Sequence, residues 1–276
     1  MENIRIATVI FRSIVGDVRR NLDAMAHWIT LSKYEGAALV CFPEMNISGY
    51  SRLEKIKQTA EYVPGPITRQ LSDLSRSQDI VILAGMVEKD DKDHIYSSHL
   101  VIKPDGYAGV YRKLHIAPPE KGIFTPGSSI PVFDMGCFKF GIQLCYDSHF
   151  PELSTCMAIK GADVIFIPHA SPRGTPREKY RSWMRHLAAR AFDNGLFVVA
   201  CNQIGENEKG LYFPGISVII GPSGNVIEKK LSDMESLMVT NLKSEALNRV
   251  RNHRMRYFLP NRRPELYDIC TNTPTG

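Results

Sequence analysis

The feature that most restricts the fold is a repeated alternation of short apolar runs with amphipathic stretches along nearly the whole chain. Ile4 to Ile10 reads as a strand, and Val18, Leu22, Met25, Ala26 and Ile29 then mark one face of a helix ending near Gly36. Ala38 to Phe42 is a fully apolar strand that stops at Pro43-Glu44. A second helix is expected over Ile67 to Ser77, followed by a strand from Ile80 to Gly85. The runs His94 to Ile102 and Gly109 to Arg112 flank Pro104-Asp105-Gly106, a strong turn signal, so they read as a hairpin and the sheet is not purely parallel.

The second half repeats the scheme. Phe138 to Leu144 is a short, aromatic-rich run that reads as a buried strand. Pro151 suits a first helical turn, Leu153, Met157 and Ala158 recur at helical spacing, and Gly161 is placed to end that helix. Asp163 to Pro168 is a further strand. Thr175, Pro176 and Glu178 form a capping box that opens one helix with the buried stripe Tyr180, Trp183, Met184, Leu187, Ala188 and Ala191, ended by Gly195. Leu196 to Cys201, Ile216 to Ile220, Asn225 to Lys229 and Ser236 to Leu242 complete a strand-rich region, with a turn at Pro222-Ser223-Gly224. The pattern specifies a layered alpha/beta protein with mixed sheets.

With 276 residues, 43% hydrophobic and 23% charged, the chain suits one sizeable core. It shows no linker or compositional break, and its longest internal polar stretch, Glu88 to Asp93, is short enough to be a turn, so residues 1–276 read as a single domain. No apolar run reaches the 18 residues or so of a membrane span. The start, Met-Glu-Asn-Ile-Arg-Ile, lacks the layout of a signal peptide. The six cysteines (Cys41, Cys137, Cys145, Cys156, Cys201 and Cys270) have no C-x-x-C spacing, and read as reduced thiols of a cytoplasmic protein.

Three polar groups each stand just past an apolar strand: Glu44 after Ala38 to Phe42, Lys113 after Arg112, and Cys145 after Phe138 to Leu144. Alone, the cysteine is a small core residue and each charge a solvated loop residue. Together they form a reactive constellation. Alpha/beta proteins put chemistry at strand carboxyl ends, and the helix start after Cys145 would favour its thiolate. The carboxylate can take the thiol proton, and the ammonium can neutralise an oxyanion formed on attack at a carbonyl carbon.

At these residues the sequence resembles the nitrilase superfamily of carbon–nitrogen hydrolases, from Ile4 to about Tyr267. Pro43-Glu44 with Ser48-Gly49-Tyr50 matches the family's glutamate motif, Tyr111-Arg112-Lys113-x-His115 its lysine motif, and Cys145-Tyr146-Asp147 with Phe150-Pro151-Glu152 its cysteine motif. Pro126-Gly127, Gly161-Ala162-Asp163, Ala189-Arg190-Ala191 with Asn194, and Gly215-x-Ser217 before Pro222-x-Gly224 match as well, whereas Tyr96-Ser97-Ser98 departs where relatives often carry Asn after the Tyr. The resemblance implies a four-layer α-β-β-α sandwich with mixed sheets, usually a homodimer or higher homo-oligomer, with no cofactor and no metal. It implies that Glu44 is the acid–base group, that Cys145 is the nucleophile forming a thioester, and that Lys113, with the backbone N–H of Tyr146, holds the oxyanion. Glu120, seven residues past Lys113, resembles a second glutamate that many members place beside the triad. For assembly, the stripe with Trp183 and Leu187 and the helix with Cys156 are the expected contacts.

Three rivals compete with this reading. A papain-like Cys–His pair would recruit His115, His149 or His169. A zinc site lacks a His or Cys pair at ligand spacing. A nucleic-acid module would use Arg249, Arg251, His253, Arg254, Arg256, Arg262 and Arg263, but one short basic stretch in a chain of net charge +5 reads as surface. The expected partner is therefore a small-molecule amide, not nucleic acid or membrane. Simple amides, diacid monoamides, N-carbamoyl compounds and nitriles all stay open, but Cys145 is followed by Tyr146-Asp147, where nitrile-hydrolysing members typically have Trp-Glu, which favours amides. Tyr50 and Tyr146 are expected to touch substrate. The loop after Pro168 carries His169, Arg173 and Arg177, of which His169 and Arg173 are candidates to hold a substrate carboxylate and Arg177 reads as surface charge.

Overall fold

The protein is described by a computed structural model over residues 1–207 and 210–266. The end of the resemblance near Tyr267, and Cys270, lie outside the described residues. Fourteen strands follow in order: β1 (Ile4–Ile10), β2 (Leu39–Cys41), β3 (Val81–Lys89), β4 (Ile95–Lys103), β5 (Gly106–Arg112), β6 (Phe133–Asp134), β7 (Lys139–Ile142), β8 (Val164–His169), β9 (Phe197–Asn202), β10 (Gly205–Glu206), β11 (Tyr212–Phe213), β12 (Gly215–Ile220), β13 (Val226–Ser232) and β14 (Ser236–Leu242). Six α-helices lie between and after them: α1 (Val18–Tyr34), α2 (Pro66–Gln78), α3 (Pro151–Ile159), α4 (Pro176–Met184), α5 (Leu187–Asn194) and α6 (Ser244–Arg251).

β10 and β11 form a separate antiparallel ribbon, and the other twelve strands form two six-stranded sheets, β14-β1-β2-β3-β4-β5 and β13-β12-β9-β8-β7-β6. In each, a parallel centre built by helical crossovers (β1-β2-β3, and β7-β8-β9) is flanked by antiparallel strands. The hairpin expected around Pro104-Asp105-Gly106 is β4–β5. Period-two alternation assigns the faces. Ile4 and Ile6 of β1, with Leu39 and Leu83, turn inward to a core that also holds Phe140, Ile142, Phe166 and Val199 of the second sheet. Ala7, Val9, Val40 and Ile82 turn outward to Leu22, Met25 and Ile29 of α1 and Leu71 of α2. Leu153, Met157, Leu187 and Ala191 cover the other outer face. The result is a four-layer α-β-β-α sandwich with mixed sheets. The sheets are also joined by polar contacts: Thr8 Oγ1 and Ser217 Oγ share a buried hydrogen bond of 2.6 Å.

Some expectations need correction. The single helix from Thr175 to Gly195 is two, because the chain bends at Arg185–His186, where His186 has φ −126° and its Nε2 reaches Ser148 Oγ at 3.1 Å. The apolar stripe runs on across the bend, which is why periodicity alone joined the pieces. Trp183 and Leu187 are buried within their own chain, so they are not free to form an interface. The polar stretch begins later than its composition suggests: Glu88 is a fully buried strand residue that accepts from Arg112 and from Ser98 Oγ, leaving the turn to Asp90–Asp93. Part of the basic run is structural, since Arg251 pairs with Asp163 at 2.6 Å and donates to Ala162 O.

Candidate active site

Both sheets direct the ends of their parallel strands to one place. From the first sheet, β2 runs out at Cys41 and delivers Glu44 in a loop where Met45 takes φ +54°. The loop is held by Asn46 Oδ1, which accepts from Gly85 N, and by Ser48 Oγ, which accepts from Val87 N. A Cβ on Gly85 would stand 2.3 Å from Met45 N, so this close approach requires glycine. Lys113 follows β5 directly, with its N–H donating to Ser97 O and its carbonyl accepting from Gly127 N. A Cβ on Gly127 would lie 2.5 Å from Arg112 O, which accounts for Pro126-Gly127.

From the second sheet, β7 delivers Cys145 at the head of a 3-10 turn, Cys145–His149, immediately before α3. Cys145 has φ +45°, a left-handed conformation that a non-glycine residue adopts only when its surroundings impose it. Asp147 supplies that constraint. Its carboxylate accepts from Leu144 N (3.0 Å), Tyr111 OH (2.8 Å) and His115 N (2.8 Å), which also welds the lysine loop to the cysteine turn. Ser148 Oγ donates to Cys145 O at 2.7 Å, and Arg190 Nε to Ser148 O at 3.0 Å.

The charged groups form one buried chain. Lys113 Nζ donates to Glu44 Oε1 at 2.8 Å and to Glu120 Oε1 and Oε2 at 3.0 and 2.8 Å. Glu44 Oε2 accepts from Ala170 N at 3.0 Å, in the loop after β8, so the acid is gripped by both sheets. All three side chains are at most 3% exposed, so solvent screens them little. Burial pushes the Glu44 carboxyl up to about 7; Lys113 opposes the rise and Glu120 adds to it. Burial works against the Lys113 ammonium, but Glu44 and Glu120 outweigh it and hold its pKa well above the ordinary value. The Cys145 thiol is pushed up as well, by burial and then by the Glu44 charge, with Lys113 pulling the other way. The helix start therefore does not leave a resting thiolate.

The structure brings Glu44, Lys113 and Glu120 into direct contact and puts Cys145 at the head of the turn after β7. Tyr50 is placed differently: its hydroxyl donates to Glu120 Oε1 at 2.8 Å, so its polar end serves the carboxylate. Tyr146 is half-buried beside Cys145, with its ring edge-on to Phe150. His169 is buried, stacks on Trp183 with ring centroids 4.0 Å apart and bonds Ile167 O through Nδ1. Burial holds its pKa well below the usual range, so it is uncharged and unsuited to holding a carboxylate. Arg173 is exposed, with φ +73° and its N–H on Tyr212 O. His115 directs Nδ1 to Asp147 and stacks on Phe150, and among the described residues no imidazole bonds the Cys145 sulfur, which removes the geometry a papain-like pair needs. Sequence reasoning missed Lys179. It is half-buried, its Nζ bonds Ser171 Oγ and Pro172 O, and its charge acts on Cys145. A lysine on a capped amphipathic helix carries no signal of this in sequence.

Comparison with known proteins shows the family. The family model described as carbon-nitrogen hydrolase matches residues 5–252. A nitrilase of Pyrococcus abyssi is 32% identical over 96% of this chain and 99% of its own. An (R)-stereoselective amidase of a Pseudomonas species is 30% identical over 77% of this chain and 75% of its own. Among solved structures, a carbon-nitrogen hydrolase from Helicobacter pylori superposes with a TM-score of 0.88 at 28% identity, covering 99% of both chains. The chain thus belongs to the carbon-nitrogen hydrolase family, within the nitrilase superfamily.

Proposed function

We propose that the protein hydrolyses a non-peptide amide C–N bond through a thioester on Cys145, giving a carboxylic acid and ammonia or a small amine. Glu44 takes the thiol proton as the sulfur bonds to the carbonyl carbon. The carbonyl electron pair moves onto oxygen, which Lys113 and the backbone N–H of Tyr146 hold. As the C–N bond breaks, the nitrogen leaves with the proton that Glu44 carries. Water, deprotonated by Glu44, then attacks the thioester, and the sulfur regains its proton as the acid departs.

The observation that carries this reading is the buried Glu44–Lys113–Glu120 chain beside a cysteine in a strained turn. Its hydrogen bonding suits the cycle. At rest the three ammonium protons serve Glu44 Oε1 and both oxygens of Glu120. An oxyanion must take one of them over, and Tyr50 keeps Glu120 Oε1 bonded when it does. A carboxyl near 7 is also matched to alternate between base and acid at neutral pH.

The named relatives include a nitrilase and an amidase, so the choice of bond rests on other grounds. Tyr146-Asp147 follows the nucleophile, and the cycle has a proton donor ready for a leaving nitrogen. Intact-mass trapping with a slow amide tests the mechanism: an acyl adduct is expected on the native protein and none on Cys145→Ala. A matched amide and nitrile test the bond, and a larger kcat/KM for the nitrile overturns it. We also read the enzyme as cytoplasmic and at least dimeric. With Trp183 and Leu187 buried, contact between copies would fall to exposed residues such as Ile159 of α3 and Phe192 of α5.

A further inference from the structure

Lys179 and the loop it grips carry an inference about substrate class, which rests on the amidase reading above. Residues 170–172 run from the catalytic acid to this lysine. Ala170 N–H donates to Glu44 Oε2, Asn202 Oδ1 and Nδ2 fix both ends of the Ser171 peptide, and Lys179 Nζ donates to Ser171 Oγ at 2.9 Å and Pro172 O at 2.8 Å. An ammonium has three protons, and these contacts use two.

Two further observations turn a clamped lysine into a binding site. Among the described residues Lys179 has no carboxylate partner, although it is half-buried; burial holds its pKa below the usual range, with Cys145 opposing the fall and the Arg173 charge adding to it. The acid on its own helix, Glu178, is turned away to cap Thr175. Among the described residues Arg173 likewise makes no ion pair, and its backbone is held in the left-handed region at φ +73° by the bond to Tyr212 O. The described chain has three non-glycine, non-aspartate residues with positive φ: Met45, Cys145 and Arg173. The first two shape the triad, and the third is the loop residue beside Lys179. Two neighbouring like charges with no acid paired to them among the described residues repel one another, and burying an ammonium without a counterion is unfavourable. Such an arrangement is relieved by an anion arriving with the substrate.

We propose that Lys179, with Arg173, holds a carboxylate on the substrate, so that the preferred amide is the monoamide of a short dicarboxylic acid or an N-carbamoyl amino acid. The amide end meets Cys145, Glu44 and Lys113, and the carboxylate end bonds the free Lys179 proton at the far side of the Ser171 loop. Cationic amides are disfavoured by the same two charges.

The test compares kcat/KM for succinamate with that for an uncharged amide of the same shape, its carboxylate replaced by a branched alkyl end. The native enzyme is expected to prefer the acid. Lys179→Met should reduce that preference by about 10- to 100-fold, mostly through KM, as loss of one charge-assisted hydrogen bond implies. Lys179→Arg should recover part of it. Arg173→Gln, at an exposed position, should reduce the same ratio by a smaller factor and serves if Lys179→Met fails to fold. A native enzyme without preference for the acid overturns the assignment, as do variants that lower both amides equally; the amidase reading survives either. If the nitrile analogue alone is turned over, the amidase reading fails and the assignment falls with it.

Discussion

The two sheets contribute to the site in different ways. The first supplies charge: Glu44 after β2, Lys113 after β5 and Glu120 farther along, tied together by ion pairs of 2.8–3.0 Å. The second supplies the proposed nucleophile, and holds it by backbone geometry, with Cys145 at φ +45° in a turn pinned by Asp147 and Ser148. Ion pairs can share protons during a reaction, whereas a strained turn keeps one sulfur in place. The difference teaches that charge does not create the reactive thiol here. Its pKa is raised, so position and a neighbouring base must do the work.

The most severe way to break the comparison is to remove the cation from the charged half. Lys113→Met would leave Glu44 and Glu120 buried together with no counter-charge. Removing one partner of a buried pair costs about 3–5 kcal/mol, and losing an oxyanion donor costs about 10²–10³ in kcat. Both effects are expected together: a lower denaturation midpoint with unchanged m-value, and near loss of turnover. A variant with native stability would show that the carboxylates take up a shared proton at little cost, and would weaken the ion-pair account of this half.

A pH profile sharpens the comparison without altering the chain. Glu44 must be ionised to take the thiol proton, and burial raises it to about 7. Below that pH it is increasingly protonated, so kcat/KM should fall as pH drops through about 7, with a slope approaching one proton. An ordinary exposed glutamate, near 4.3, would leave activity flat down to about pH 5. If the acid limb lies near 4–5, the base is not Glu44 in this buried state.

How much of this was legible in sequence divides along the same line. The layered alpha/beta pattern was legible because the parallel strands are short apolar runs, whereas the four-layer sandwich came from the family resemblance; Glu44, Lys113 and Cys145 stood out as candidates because each stands at a strand end. Contacts between residues far apart in the chain were not. Nothing near Tyr50 announces that its hydroxyl meets Glu120, 70 residues away, or that Ala170 N caps Glu44 across the two sheets. The bend at Arg185–His186 was hidden because a stripe of buried side chains continues through it. Glu88 read as turn because a carboxylate gives no sign of its partner, and Arg112 lies 24 residues on.

The smallest expected effect separates position from residue type. Cys41 is the natural control for Cys145: it ends β2, lies three residues before Glu44, and is a thiol in the same end of the sandwich. Its environment is opposite. It is 1% exposed, its Sγ lies 3.6 Å from Phe42 O, and Cys201 of the facing sheet directs its own thiol to Cys41 O at 3.8 Å. Burial raises its pKa strongly, and neighbouring Cys201 adds to the rise, with no ammonium to oppose them. Cys41→Ala should therefore form the acyl adduct at the native rate. It should lose only the small packing contribution of one buried sulfur, about 1–2 kcal/mol for a partly filled cavity, seen as a modest shift in denaturation midpoint. A large loss of turnover in folded Cys41→Ala would mean that the β2 strand end positions Glu44 through this side chain. The charged half would then depend on packing as much as the nucleophilic half depends on its turn.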